Sequence, residues 1–242
     1  MARRTRPRLR TALLAPVLAL GATIGPAAAP AQAAVWNSCD KWGSTSLNGY
    51  TLYNNIWGQG AGAQCTWANS GTNWGVWADH PNTGGIKSYP NAKKVINKSI
   101  TSLASLTSNY NVTVPSAGAY NTAYDIWDTD YDFEVMLWMN HNGAVGPLGS
   151  PQGSVTLGGH SWNVYKGRVV NPDGSYHEVF SFLRTSDSTS GSVNILPVLK
   201  WIKDTKKWWG NETIGDVQFG YEVTSSAGGL NFTTNNLTVS SS

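Results

Sequence analysis

Phe133-Glu134-Val135-Met136-Leu137-Trp138-Met139-Asn140 is an apolar, strand-like run with a carboxylate set inside it. In a β-strand successive side chains point to opposite faces. Val135, Leu137 and Met139 then face a core, and Glu134, Met136, Trp138 and Asn140 face the other way. That second face carries an acid, a thioether, an indole and an amide. It is too polar for a core and too apolar for plain contact with water. It suits the floor of a groove that grips something flat and hydroxylated. The competing reading is a sheet strand whose Glu simply meets solvent, and this stretch alone leaves both open.

The surrounding chain is built the same way. From Tyr50 onward, short runs of Val, Ile, Thr, Tyr and Trp are punctuated by Gly, Asn, Ser and Pro. Strands are expected at Tyr50–Trp57, Trp74–Ala78, Val112–Val114, Tyr120–Trp127, Phe133–Asn140, Ser154–Leu157, His160–Lys166, His177–Leu183, Asp216–Thr224 and Asn231–Val239. Many short strands at this spacing predict an all-β sandwich, jelly roll or barrel. One helix is expected between Val193 and Lys206. Ser190 or Ser192 would be its N-cap, Pro197 falls in its first turns, and Ile195, Leu199 and Ile202 form its apolar stripe. The Gly-rich stretch His141–Gly153, with Pro147 inside it, is either an ordinary turn or a strap over a groove.

The ends bound the class of protein. Arg3, Arg4, Arg6, Arg8 and Arg10 form a basic head, Leu13 to Ile24 is apolar, and Ala31-Gln32-Ala33 has the small-x-small pattern of a processing site. The apolar run is short for a membrane span. Residues 1–33 therefore read as a secretory leader, and 34–242 as a single domain of an extracellular protein. Export by the general route is favoured over the twin-arginine one, because no hydrophobic pair follows Arg3-Arg4 closely. The head holds five of the seventeen Lys and Arg and none of the fourteen Asp and Glu, so the remainder carries 12 basic against 14 acidic residues, a net charge of −2. No basic stripe points to nucleic acid, and no second apolar segment points to a membrane. Nothing in the pattern calls for a second copy of the chain, and a monomer is expected. Cys39 and Cys65, the two cysteines, read as a structural disulfide in an exported chain. Twelve Trp and ten Tyr against five Phe supply flat apolar faces with polar edges, the surfaces that bind pyranose rings.

Only four Glu lie beyond the leader: Glu134, Glu178, Glu212 and Glu222. Glu212 sits in a turn sequence, Gly210-Asn211-Glu212-Thr213, and Glu178 falls near a hairpin end after Asn171-Pro172-Asp173-Gly174. Glu222 repeats the setting of Glu134. Val217, Phe219, Tyr221 and Val223 face a core, whereas Gln218, Gly220, Glu222 and Thr224 face outward, with Gly220 leaving room for a close approach. Asn121, Ala123, Asp125 and Trp127 share a face of Tyr120–Trp127, so a hairpin with the next strand brings Asp125 near Glu134. The run Asp128-Thr129-Asp130-Tyr131-Asp132 lacks the Gly and closing Glu of a calcium loop, and neither a metal nor any other cofactor is expected. Two carboxyl groups beside aromatic platforms are what glycosidic cleavage needs: one ionised to attack carbon, one protonated to release oxygen.

Six blocks in order carry a resemblance: Asn54-Asn55-Ile56-Trp57-Gly58, Lys87-Ser88-Tyr89-Pro90, Tyr124-Asp125-Ile126-Trp127, Glu134-Val135-Met136-Leu137-Trp138, Gly146-Pro147-Leu148-Gly149-Ser150 and Phe219-Gly220-Tyr221-Glu222. Together they are similar to the signature blocks of glycoside hydrolase family 12, compact endoglucanases. The resemblance implies a β-jelly roll of two curved antiparallel sheets, an open cleft on the concave face and one helix on the back. It implies endo-acting, retaining cleavage of β-1,4-glucans. Glu134 corresponds to the nucleophile, Glu222 to the general acid/base and Asp125 to the side chain bonded to the nucleophile. Asn55 and Trp57 correspond to sugar-holding residues, Met136 and Trp138 to the cleft floor, and Pro147 to the strap. Val223 and Thr224 depart from the Pro-aromatic pair that many members carry there. A xyloglucan-preferring enzyme and a non-catalytic glucan-binding jelly-roll lectin are the alternatives.

Overall fold

The computed structural model describes residues 34–242, and the expected leader lies outside the described residues. Fifteen strands follow in chain order: β1 (Trp36–Ser38), β2 (Ser44–Leu47), β3 (Tyr50–Tyr53), β4 (Ala63–Ser70), β5 (Asn73–Asp79), β6 (Asn91–Ser99), β7 (Leu106–Thr113), β8 (Ala119–Asp128), β9 (Phe133–Asn142), β10 (Ser150–Leu157), β11 (His160–Val170), β12 (Tyr176–Arg184), β13 (Ser190–Asn194), β14 (Thr213–Ser225) and β15 (Leu230–Ser241). They form two sheets, ordered β1-β4-β5-β15-β7-β13 and β10-β11-β12-β9-β8-β14-β6-β3-β2. Every pairing is antiparallel except β12 with β9. The architecture is the expected jelly roll, with the sheets left open at their edges.

The core fills the space between the sheets, and strand alternation decides what enters it. Val135, Leu137 and Met139 of β9, and Val217, Phe219, Tyr221 and Val223 of β14, are fully buried there. They meet Trp74 and Val76 of β5, Tyr110 of β7 and Phe232 of β15 from the smaller sheet. Tyr221 packs on Trp74 at 5.6 Å and Phe219 on Tyr124 at 4.7 Å between ring centres, close enough for aromatic contacts to add to area burial.

The expected helix is shorter and differently capped. Ser190 and Ser192, expected as N-caps, belong to β13, which pairs with β7 and carries Val193 opposite Ser108. The helix α1 spans Leu196–Lys200, with Pro197 in its first turn and Ile195 as a cap that offers no side-chain bond. It widens into a single π-type segment, Trp201–Lys206, which stops at Lys207 in the left-handed region. Leu196, Val198, Leu199 and Ile202 are buried, so the apolar stripe held although the cap did not.

The expected strand Tyr50–Trp57 ends at Tyr53, because Asn54 turns inward and is fully buried. Its amide donates to Asp40 O at 2.9 Å and accepts from Thr66 Oγ1 at 2.8 Å. Asn55 then takes a positive φ of 45°, a conformation Asn tolerates better than most residues. Nearby, Cys39 and Cys65 form the expected disulfide, closing 26 residues between the β1–β2 loop and β4. Such a closure stabilises a fold by about 3 kcal/mol. Replacing both cysteines by Ser should lower the thermal midpoint by roughly 6–12 °C and leave activity at 25 °C intact. Scanning calorimetry checks the first outcome, and an unchanged midpoint would remove the staple from the list of stabilising features.

Candidate active site

The outward face of β9, β8 and β14 is the floor of a cleft of 670 Å³. The register decides which side chains reach it. Asp125 of β8 stands opposite Met136 of β9, and Trp127 opposite Glu134. Asp125 and Glu134 are therefore diagonal neighbours on one face, a separation that side chains bridge. The same strand β8 sets Asn121 opposite Glu222 of β14. Glu134, Glu222, Asp125, Met136, Asn55, Trp57 and Pro147 all line the cleft. Trp138 does not. It is 4% exposed and packs on the same face into a small cluster with Ala123, Met136 and Val179.

Close backbone contacts shape the walls. A Cβ on Gly220 would lie 2.1 Å from Pro90 O, so the room beside Glu222 is filled by the chain itself. Ser88 bridges Ile56 and Val223, and Lys87 N–H donates to Val223 O at 2.7 Å. Three of the six sequence blocks thus pack as one layer. It carries Tyr89, which lines the cleft beside the carboxyls and whose hydroxyl donates to Ala123 O at 3.1 Å. The strap is shorter than expected, because β9 runs to Asn142 and β10 begins at Ser150. Gly149 lies against Lys166 O, where a Cβ would come within 2.0 Å, and this contact holds Gly146, Pro147 and Leu148 at the rim.

Burial sets the electrostatics. Asp125 is pushed well above the usual carboxylate range, first by burial and then by the charge of Glu134. It keeps its proton and shares it with Glu134, while Trp127 Nε1–H donates to its Oδ2 at 3.1 Å. Glu134 is raised to about 7 by burial, with the hydrogen bond from Asp125 pulling it down and the charge of Glu222 pushing it up. Glu222 is also raised to about 7 by burial, opposed by the Asn121 amide, which donates to its Oε2 at 2.5 Å. One carboxyl thus receives an acid's proton and the other only an amide's.

Sequence reading missed His177 and Asn121. His177 Nε2 lies 3.1 Å from Glu134 Oε2, and its ring meets Trp127 at 4.9 Å. Burial lowers its pKa and favours the neutral ring, which in the tautomer protonated at Nε2 donates to ionised Glu134. His177 reaches Glu134 because β12 and β9 pair in parallel, with Val179 opposite Glu134. No turn joins two parallel neighbours, so the sequence offered only the alternation of His177 with Val179 as a signal. Glu178 faces away from the cleft and pairs with Lys166 at 3.3 Å and with Arg168. Glu212 accepts from Gly210 N–H at 2.8 Å and closes its turn. Asp128 Oδ1 accepts from Phe133 N–H at 2.9 Å, so the acidic run closes the β8–β9 hairpin.

The profile described as Glycosyl hydrolase family 12 matches residues 48–241. Endoglucanase S of Pectobacterium parmentieri is 33% identical over 212 residues, covering 77% of this chain and 80% of that one. Among solved structures, the xyloglucanase domain of NopAA, a type three effector from Sinorhizobium fredii in complex with cellobiose, superposes with a TM-score of 0.81 at 42% identity, covering 86% of this chain and 99% of that one. The native family 12 xyloglucanase from Bacillus licheniformis superposes with a TM-score of 0.78 at 28% identity, covering 86% and 100%.

Two buried carboxyls with raised pKa values favour the folded state at low pH, and that support is lost as pH rises. The folded chain binds their protons more tightly than the unfolded one, whose Glu side chains titrate near 4.5. Their contribution is full below pH 4.5 and is lost as pH rises through 7. Glu222→Gln should therefore stabilise the protein at pH 8 by about 1–3 kcal/mol and have little effect near pH 4. Urea denaturation at the two pH values measures this, and equal shifts at both would contradict the assignment.

Proposed function

Because this chain belongs to glycosyl hydrolase family 12, we propose that the cleft cuts β-glucan chains by double displacement at Glu134 and Glu222. The enzyme is an endo-acting β-1,4-glucanase. The observation that carries the mechanism is the unequal support of two buried carboxyls on one cleft floor: Glu134 receives protons from Asp125 and His177, and Glu222 receives only an amide.

Glu134, whose ionised form those donors favour, attacks the anomeric carbon. As the glycosyl ester to Glu134 forms, the glucosidic C–O bond breaks and Glu222 gives its proton to the leaving oxygen. Glu222 is then a carboxylate, and it takes a proton from water as that water attacks the same carbon and releases Glu134. Asp125 and His177 are positioning residues. Trp57, 47% exposed at the rim, offers its indole face to a sugar ring, and Asn55 is fixed beside it by donating to Tyr89 O at 3.0 Å.

Proton NMR of the first product should show the β anomer, and early α product would rule out retention. Glu134→Gln and Glu222→Gln should each lower kcat by roughly 10²–10⁴-fold without unfolding the chain. In the native enzyme kcat/KM should fall as pH rises past about 7, where Glu222 loses its proton. Asp125→Ala and His177→Phe each remove a donor that favours ionised Glu134. Both should move the acid limb of the profile to higher pH, whereas Asp125→Asn, which keeps an N–H donor, should move it less. A limb that stays in place in all three would show that these groups do not set the state of Glu134.

Linear β-1,4-glucan is the primary substrate in this reading. A xyloglucan preference is the second, favoured by the likeness to the two xyloglucanases described above and by the residues after Glu222. Val223 points into the core and Thr224 follows it, so no ring walls the leaving-group side at these positions and a branched chain has room. The ratio of kcat/KM on xyloglucan to that on linear β-glucan decides between them. Among the described residues no helix is long and apolar enough to cross a membrane. We infer export from the leader pattern at residues 1–33 and from the Cys39–Cys65 disulfide, with 34–242 as a monomeric catalytic domain.

A further inference from the structure

The smaller sheet bears on its outer face a feature that the reaction does not use. Its six strands contain a single charged residue, Asp79, whose Oδ1 accepts from Gly228 N–H at 2.9 Å. A solvated sheet face ordinarily carries Lys, Arg, Glu and Asp. The larger sheet follows that rule, with Lys93, Lys94 and Lys98 on β6 and Lys166 and Arg168 on β11. On the smaller sheet amides and hydroxyls take their place, held in cross-strand pairs. Asn235 Nδ2 donates to Asn111 Oδ1 at 2.8 Å and to Thr113 Oγ1 at 3.0 Å, and Asn109 Nδ2 donates to Thr238 Oγ1 at 3.2 Å.

Two indoles share this outer face. Trp67 of β4 stands opposite Gly75 of β5, and Trp77 opposite Cys65, which makes the two rings diagonal neighbours. A Cβ on Gly75 would lie 2.6 Å from Trp67 Cζ2, and one on Gly229 would lie 2.8 Å from Trp77 Nε1. The glycines let both rings rest against backbone. Trp77 keeps 37% of its surface open to water, although Trp74 on the same strand is wholly buried.

We propose that this face is a second docking surface for a β-1,4-glucan chain, separate from the cleft. A pyranose offers C–H-rich faces to an indole and hydroxyls to the surrounding amides. A neutral polymer has no use for charged neighbours, whose desolvation would oppose binding. The two sheets lie roughly 10 Å apart with the core between them, and the cleft opens on the far side. The surface therefore holds a chain next to the one being cut and raises the local concentration of substrate. Naming the polymer rests on the glucanase reading, and the two ideas fail separately.

The test is native electrophoresis through gels containing soluble linear β-glucan, run on protein from a host that does not glycosylate Asn231-Phe232-Thr233. In a Glu134→Gln background, adding Trp67→Ala and Trp77→Ala should weaken retardation roughly 3–10-fold. In the active enzyme the same pair should leave kcat/KM on a small chromogenic cello-oligosaccharide within about twofold. Trp77→Tyr, which keeps a ring, should retain most of the retardation. Retardation unchanged in the pair overturns the proposal, and so does unchanged retardation in Trp77→Ser alone should the pair fail to fold. A loss of small-substrate turnover in step with retardation overturns it too, because the rings would then serve the cleft or the fold. Hydrolysis of the small substrate reports on the glucanase reading by itself.

Discussion

The proton that Asp125 shares with Glu134 is the constraint on which the site depends, and the β8–β9 register alone brings the two together. Two carboxyls buried side by side cannot both ionise at reasonable cost. One must become a donor, and Trp127 Nε1–H on Asp125 Oδ2 holds it in place. Slipping the hairpin by one residue would turn Glu134 toward the core and bring Val135 to the cleft. The register is pinned from both sides. Val135, Leu137 and Met139 must stay between the sheets, and Asp128 closes the turn through the N–H groups of Phe133 and Asp130.

A second buried polar network steadies the wall that carries Asn55 and Trp57. His80 Nε2 lies 2.9 Å from Gln64 Oε1 and 3.1 Å from Ser88 Oγ, and Gln64 Nε2 donates to Asn54 Oδ1 at 3.0 Å. Burial, with help from the nearby Lys87 charge, lowers the His80 pKa to about 4, so the ring is neutral over the working range and its bonds are kept. Networks of this kind give a unique arrangement only when every member is satisfied. Here they lock two loops and the start of β6 into one piece. Gly58 shows how tight the piece is, since a Cβ there would lie 1.9 Å from Ile86 O. The glycines of the sequence blocks serve close packing of backbone on backbone behind the cleft.

Much of the fold and the centre of the site could be read from the chain, for one physical reason. Where one face of a strand is core and the other is a functional floor, the period of two is written plainly, as in β9 and β14. The reading failed where burial follows another rule. β6, Asn91–Ser99, carries three lysines and is not among the expected strands, yet it lies between β14 and β3. Lys93 and Lys94 lay their stems over Tyr53 and Tyr50, with the ammonium groups 5.3 and 5.1 Å from the rings. β13 reads as the cap and first residues of the helix, because Val193 and Ile195 fit either period until β7 supplies a partner. His177 was missed because a parallel neighbour leaves no local trace. Trp138 lies on the expected face, but alternation gives direction and not depth: it is buried in a cluster with Ala123, Met136 and Val179.

The tryptophans show how the two faces of the molecule divide. Trp74, Trp162 and Trp209 are core residues, and Trp36, Trp201 and Trp208 pack against the same core. Those six are explained by volume. Trp57 and Trp127 line the cleft, and Trp138 packs against Met136 of its floor. Trp42 is exposed beside Lys41. Trp67 and Trp77 belong to neither core nor cleft, on a sheet whose strands avoid charge. The carboxyls that titrate high, Asp125, Glu134, Asp216 and Glu222, all stand on the other sheet. An acid/base centre needs buried charge and its donors, whereas a docking face for a neutral polymer works best without charge. The core separates those two demands, and each sheet meets one of them.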